Sequence, residues 1–334
     1  DILEYFIKEY PDYIYNVNSS YNNFLHYLDP ATEFYLKILK NKLIDKDLIL
    51  YNVNNNNLSC LDLLFEFGSY KNIMEVIKLG IDINKFEGQP SFFLILNNIH
   101  LSDNNIINIL KELTKRFDDV FKLIDVNLMN FSWLAFGSRK LKIIKDVIDK
   151  VELNQTLPIT GYNLFRSIYA TDEEYGDFTI SKMIWNKIKD RDDLFKKINM
   201  YGDNLAHFIL DKSKYGRSDL KFEKEILSKC ENSNWNEVNI ERNTPVHFLV
   251  LLDFDKYKSV LKNKKINLNL KNENNESCLD LASKKWCNYL KKINDNNIKI
   301  ERNNVKLNDY KYSHGNLFSA TFLDLGIFAK YMDK

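Results

Sequence analysis

The sequence predicts an all-α solenoid of about eight helix-turn-helix repeats, closed by a C-terminal capping helix. Three observations predict it. One short pattern recurs along the chain: an Asn, four residues, a helix-capping polar residue, then an apolar run. The copies follow one another at roughly 30 to 45 residues, a period that signals stacked units rather than separate globular cores. After each cap the apolar residues keep helical spacing.

The turn Asn residues are Asn18, Asn54, Asn84, Asn127, Asn199, Asn239 and Asn272, with caps at Asn23, Ser59, Gln89, Ser132, Asn204, Thr244 and Ser277. An eighth copy, capped by Asn163, has Pro158 in the Asn place. The segment from Val238 to Val250 shows how one copy builds itself. Asn239 suits a turn because its side chain can bond its own backbone two residues on. Thr244 can accept a free N–H of the first helical turn. Pro245 then occupies the first helical position, where its missing N–H costs nothing. Val246, Leu249 and Val250 follow at helical spacing, and Tyr257, Val260 and Leu261 give a second helix.

Thr244-Pro245-Val246-His247-Phe248-Leu249 resembles the signature of ankyrin repeats. Similar copies start at Asn22, Leu58, Tyr201 and Asn274. The stretch from Asn72 to Asn84 resembles that family's second helix and exit segment, with Gly80 placed to end the helix. The resemblance covers about residues 10 to 292 and implies an ankyrin-like solenoid. It also implies that His26, His207 and His247, which share one repeat position, are structural hydrogen-bonding elements. The Asn-, Lys- and Tyr-rich style is similar to divergent ankyrin proteins of large DNA viruses. By this reading 1–293 is a repeat domain, 294–310 a linker, and 311–334 a C-terminal helix or the start of a further domain.

Several repeats exceed the usual period. An acidic insertion, with Asp172, Glu173, Glu174 and Tyr175, and a largely basic one, with Lys214, Tyr215 and Arg217, fall between first and second helices of adjacent repeats. Both are expected to be loops lying side by side, where recognition tends to reside.

Composition excludes more than it selects. Of 334 residues, 45% are hydrophobic, enough for a large buried core. Lys and Arg number 47 against 46 acidic residues, a net charge of +1, which gives no electrostatic case for nucleic acid. The longest apolar runs, such as Phe92 to Leu96, are too short to span a bilayer. Acidic residues at the start argue against a signal peptide, and the absent initiator Met leads us to expect a longer protein. Four cysteines make no disulfide framework, and reduced thiols fit a cytoplasmic setting, host cell cytoplasm or virion if the source is viral. No Cys-x-x-Cys, His-Glu-x-x-His, phosphate-binding Gly-rich loop or Gly-x-Ser-x-Gly elbow occurs, so no metal, cofactor or catalytic activity is expected.

The expected function is protein–protein recognition through repeat turns and the inner helical face. Asn55, Asn57, Phe86, Glu87, Tyr201, Glu241, Arg242 and Glu276 sit between turn Asn and cap, where side chains are expected to be free of the stack. Trp235, between Asn234 and Asn236, is a further candidate anchor, since exposed Trp is favoured at interfaces. The partner is expected to be a protein, with no membrane and no small molecule, and nucleic acid disfavoured. Two rival roles are a regulatory or targeting arm of an enzyme continuing past Lys334, and a structural subunit of a large assembly.

Overall fold

The computed structural model describes residues 2–42, 44–83, 90–125, 127–153, 156, 161–196, 199–215, 217, 219–262 and 264–295. The chain divides into two compact units, Asp1–Glu152 and Leu153–Lys334. Among the described residues each unit is an all-α solenoid of four helix-turn-helix repeats. Among the described residues there is no strand, and extended pairing is confined to isolated bridges such as Val53 with Ser59 and Lys271 with Ser277, which close the turns.

In the first unit the first elements of the repeats are the 3-10 turn Phe24–Tyr27, the helix Cys60–Phe67, the 3-10 turn Ser91–Asn97 and the helix Phe131–Gly137. The second elements are the helices Glu33–Lys40, Tyr70–Lys78, Asp103–Arg116 and Leu141–Val147. First elements pack on first elements and second on second, which makes two layers with the core between them. Tyr70–Lys78 shows why. Ser69 caps it by accepting the Asn72 N–H, and Gly80, at φ 85°, lies just past its end. Ile73, Val76 and Ile77 recur on one face and are fully buried, each contributing about 1.5–3 kcal/mol. Asn72, on the same helix, donates to the Pro30 and Thr32 carbonyls of the preceding repeat. Apolar spacing thus makes the layer, and a buried amide fixes its register.

In the second unit the first helices are Leu164–Tyr175, Leu205–Tyr215, Pro245–Leu249 and Cys278–Leu281, each packed on the next. The second elements are Thr179–Ile188, Leu220–Lys229, the short Phe254–Tyr257 helix running into the 3-10 turn Lys258–Leu261, and Lys284–Asp295. The expected linker at 294–310 therefore begins inside a helix. Its remainder and the C-terminal helix at 311–334 lie outside the described residues.

Two expectations from the sequence need correction. The fourth repeat is set two residues earlier than Asn127 and Ser132 suggest. Asp125 is the turn residue, accepting the Asn127 and Met129 N–H groups, and Asn130 caps Phe131–Gly137 by accepting the Ser132 N–H. Asp and Asn present the same acceptor oxygen as Asn and Ser, so the spacing of five survives with different letters. The insertions are not loops. The acidic one is extra turns of Leu164–Tyr175, ended by Gly176 at φ 70°, and the basic one extends Leu205–Tyr215. Asp172 and Glu173, expected on a solvated loop, are buried at 0% and 8% exposure.

Candidate recognition surface at the repeat turns

Six of the described turns are built from one side chain, at Asn18, Asn54, Asp125, Asn199, Asn239 and Asn272, and one left-handed residue. Asn54 accepts the Asn56 and Leu58 N–H groups at 2.9 and 3.1 Å, while its own N–H donates to the Leu58 carbonyl and Asn57 donates to the Asn54 carbonyl. The residue two before the cap then lies in the left-handed region. It is Tyr21, Asn57, Leu128, Gly161, Gly202, Arg242 or Asn275, with φ between 57° and 69°. Five of these seven carry a side chain, which the short turn forces outward despite the cost of that backbone region.

Among the described residues, three pairs of adjacent turns are each joined by one backbone hydrogen bond. The N–H one residue after the turn Asn donates to the carbonyl two residues after the preceding turn Asn. The pairs are Asn55 to Ser20 at 3.0 Å, Ile240 to Tyr201 at 2.8 Å, and Glu273 to Glu241 at 3.0 Å. Side chains add a second rung, Asn54 to Asn22 and Asn239 to Asp203, both 2.9 Å. At these pairs the spacing of the tips is set by backbone hydrogen bonds.

A further lock sits beneath the tips. His26, His207 and His247 each accept the cap residue's N–H at Nδ1 and donate from Nε2 to a carbonyl of the next repeat. The acceptors are Leu58 at 3.1 Å, Asn243 at 2.8 Å and Glu276 at 3.2 Å. The cap N–H on Nδ1 fixes the proton on Nε2. Burial pulls the imidazoles of His26 and His247 below their usual pKa. Arg166 stands at this position in the first repeat of the second unit and donates to the Asp203 carbonyl at 3.2 Å. It is fully buried over the Phe208 ring, 5.5 Å from its centroid, and desolvation lowers the guanidinium to about 10. Nothing in the pattern of caps signals this Arg; only its place three residues after Asn163 does.

The sequence-predicted residues fall as follows. Asn55 and Asn57 are exposed, Asn55 also reaching the Ser19 carbonyl at 3.5 Å through its amide. Glu241 and Arg242 are exposed, the Glu241 carboxylate accepting from the Asn243 amide. Tyr201 and Glu276 are half-buried, and Glu276 gives its carbonyl to His247 and its carboxylate to the Asn272 amide. Phe86 and Glu87 lie outside the described residues. Sequence reasoning missed Met200 and Ile240, which occupy equivalent places on neighbouring turns and are 56% and 54% exposed. Their place directly after a turn Asn is the signal that was available.

Trp235 is a correction: it is fully buried. Its polar neighbours hydrogen-bond to adjacent repeats rather than to solvent. Asn234 donates to the Phe195 carbonyl and Asn236 to the Lys265 carbonyl, which turns the indole into the core. Glu174, Tyr175 and Lys214, on the extended helices, and Arg217, beyond the end of the second, are exposed, and Arg217 donates to the Tyr175 carbonyl at 3.3 Å. Tyr215 is the last residue of its helix.

The second-helix layer is charge-paired between repeats: Lys71 with Glu33, Lys40 with Glu75, Lys111 with Asp146, and Lys285 with Asp255. Such exposed pairs contribute about 0–1 kcal/mol each. Among the described residues no cluster of three His, Cys, Asp or Glu side chains is placed to hold a metal ion, and no helix is long and apolar enough to cross a membrane.

No protein-family model and no curated protein matches the sequence. Solved structures that it is similar to include the ankyrin repeat domain of Bcl-3, at 12% identity and TM-score 0.49, covering 66% of this chain and 91% of that one. The human ASB11 ankyrin repeat domain matches at 12% identity and TM-score 0.44, covering 70% and 96%. A chain from the complex of the Bd0816 predatory endopeptidase of Bdellovibrio bacteriovorus with immunity protein Bd3460 matches at 19% identity and TM-score 0.40, covering 55% and 91%. At these values the fold rests on the chain's own hydrogen bonds and layers.

Proposed function

We propose that this chain is an ankyrin-type recognition scaffold that binds a protein partner through its turn tips and the adjoining face of the first-helix layer. The observation that carries the reading is the division of labour within each turn. The backbone and the turn Asn are consumed by the ladder, while the next three side chains are left outside it. In the second unit those positions present Met200, Tyr201, Ile240, Glu241 and Arg242, an apolar and charged mixture with no part in stacking. Exposed apolar side chains on a hydrogen-bonded backbone favour a protein ligand, because little backbone ordering cost is added on binding. The compositional style keeps a large DNA virus, and with it the host cytoplasm or the virion, as the proposed setting.

The test compares affinity capture by the wild-type chain with capture by a variant carrying Ile240→Ala, Glu241→Ala and Arg242→Ala, and by a control altered at the exposed, charge-paired Lys71. A stoichiometric partner should be lost by the tip variant and kept by the control. Equal retention by both would refute recognition through the turns.

A further inference from the structure

The joint between the two lengthened repeats of the second unit encloses an unusual group of acids. Tyr169, Asp172 and Glu173 lie on one face of Leu164–Tyr175, at 1%, 0% and 8% exposure. Asp172 is committed, accepting the Ser181 N–H at 2.8 Å in the first turn of Thr179–Ile188. Glu223, on Leu220–Lys229, is buried between two phenols. It accepts from Tyr169 at 3.4 Å on one oxygen and from Tyr257 on the other. One carboxyl therefore ties three consecutive repeats together.

The charges that face these groups do not balance. Glu173 meets Lys212 at 4.0 Å and Asp211 from Leu205–Tyr215, Glu223 from Leu220–Lys229, and Glu174 beside it. Glu223 meets Tyr169, Ser213 and Tyr257 from the three helices around it, Glu173, and Asp219 on its own helix. Lys212 is the ammonium set against Glu173, while the acidic neighbours Asp219 and Asp211 have Lys182, at 2.5 Å, and Lys214 to offset them. Removing that much negative charge from water without a matching cation is costly, and the least costly relief is a retained proton.

We propose that Glu173 and Glu223 make this joint a proton-operated clasp, which holds the extended helices Leu164–Tyr175 and Leu205–Tyr215 together when a proton is retained and loosens them when it is lost. With the proton on, Glu173 sits neutral against its acidic neighbours, and Glu223 keeps its two phenol donors without repulsion from 173. With it off, two largely buried carboxylates repel each other, and Lys212, 4.0 Å from Glu173, offsets only part of the cost. Burial is the largest effect on both groups, raising Glu173 to about 7 and raising Glu223 as well. The sign follows. A carboxyl whose folded value is raised stabilises the joint fully below the free carboxyl range, and this support is lost as pH rises through about 7. The surface at stake is the one carrying Tyr175, Lys214 and Arg217, so the clasp would regulate that surface near neutral pH.

The test is amide hydrogen exchange on the full chain, without any partner, at about pH 6 and about pH 8, after correction for the intrinsic pH dependence of exchange. Protection over 164–182 and 205–227 should fall by about tenfold or more at the higher pH. Glu173→Gln, a neutral isostere of the protonated acid, should stay protected at both. Lys212→Met should move the loss of protection to higher pH, because the cation that favours the charged form is gone. Equal corrected protection of the wild type at both values, or a pH response that Glu173→Gln leaves unchanged, would overturn the clasp. Neither outcome touches the proposed recognition role, since no ligand enters the measurement.

Discussion

His247 offers a sharp test of how the repeats are locked. Its ring accepts the Thr244 N–H at 3.0 Å and donates to the Glu276 carbonyl at 3.2 Å, and it is 2% exposed. His247→Ala removes both bonds. Each made bond contributes about 1 kcal/mol net, and the orphaned Thr244 N–H adds a desolvation penalty of about 1–3 kcal/mol. The loss should be about 3–5 kcal/mol, concentrated where the last described repeat meets its neighbour. Stacked repeats couple only to neighbours, so exchange protection should collapse over 277–295 while 205–230 changes little. Urea unfolding read by tryptophan fluorescence gives the total, with Trp235 and Trp286 buried on either side of the lock. The pH arm has a fixed sign. Burial lowers the His247 value, so the unfolded chain binds more protons around and below the ordinary imidazole range. The lock's contribution is therefore present above about 6.5 and lost as pH falls. Subtracting the variant's stability from the wild type's at each pH isolates this arm from the carboxyl cluster. A variant within about 0.5 kcal/mol of wild type, or a difference independent of pH, would refute the lock.

The corrected register of the fourth repeat predicts that Asn130→Ala costs about 1 kcal/mol by loss of the cap while Ser132→Ala costs less; paired thermal melts decide it. Two guanidinium nitrogens of Arg166, Nε and Nη2, have no hydrogen-bond partner among the described residues. Arg166→Met should accordingly fall within about 1 kcal/mol of wild type, whereas Arg166→Ala should cost about 2 kcal/mol or more through the cavity, measured by urea denaturation. Gly176 holds φ 70°, and a Cβ there would come within 2.9 Å of the Arg217 Cδ. Gly176→Ala should destabilise by about 1 kcal/mol or more and raise exchange over 172–178.

Much of the scaffold was legible because it rests on few chemical needs. A turn needs an acceptor that bends back on its own backbone, and a helix needs a cap; Asn239 with Thr244 and Asn54 with Ser59 declare both. The reading slipped where a second residue type serves equally well. Asp125 with Asn130 satisfies the same geometry as Asn127 with Ser132 would, and spacing alone does not choose between them. Trp235 was misplaced because flanking Asn residues look like solvent exposure, yet their amides bridge to neighbouring repeats through the Phe195 and Lys265 carbonyls. The insertions were taken for loops because their charges suggest a solvated surface. Helix extension instead buries Asp172 and Glu173, and what stabilises that burial lies on other repeats, at Ser181, Lys212 and Glu223.

The position three residues after each cap also explains why the scaffold can be named and the partner not. Where it is His or Arg, the side chain points a donor along the stack and joins one repeat to the next. Asp62 and Asp280 hold the same place, but both spend an oxygen on their own caps, accepting the N–H and hydroxyl of Ser59 and of Ser277. A carboxylate has no proton to offer the following carbonyl, so these repeats rely on their apolar faces and on the ladder above. Every one of these choices faces along the stack, where a substitution changes stability directly. The tip residues face away from it. Glu241 could become Lys without disturbing the hydrogen bond its carbonyl accepts from Glu273, because that bond belongs to the backbone. Folding constrains the side chains at Met200, Ile240 and Glu241 less than those along the stack, so on the proposed recognition role these are the positions where a partner would leave its mark.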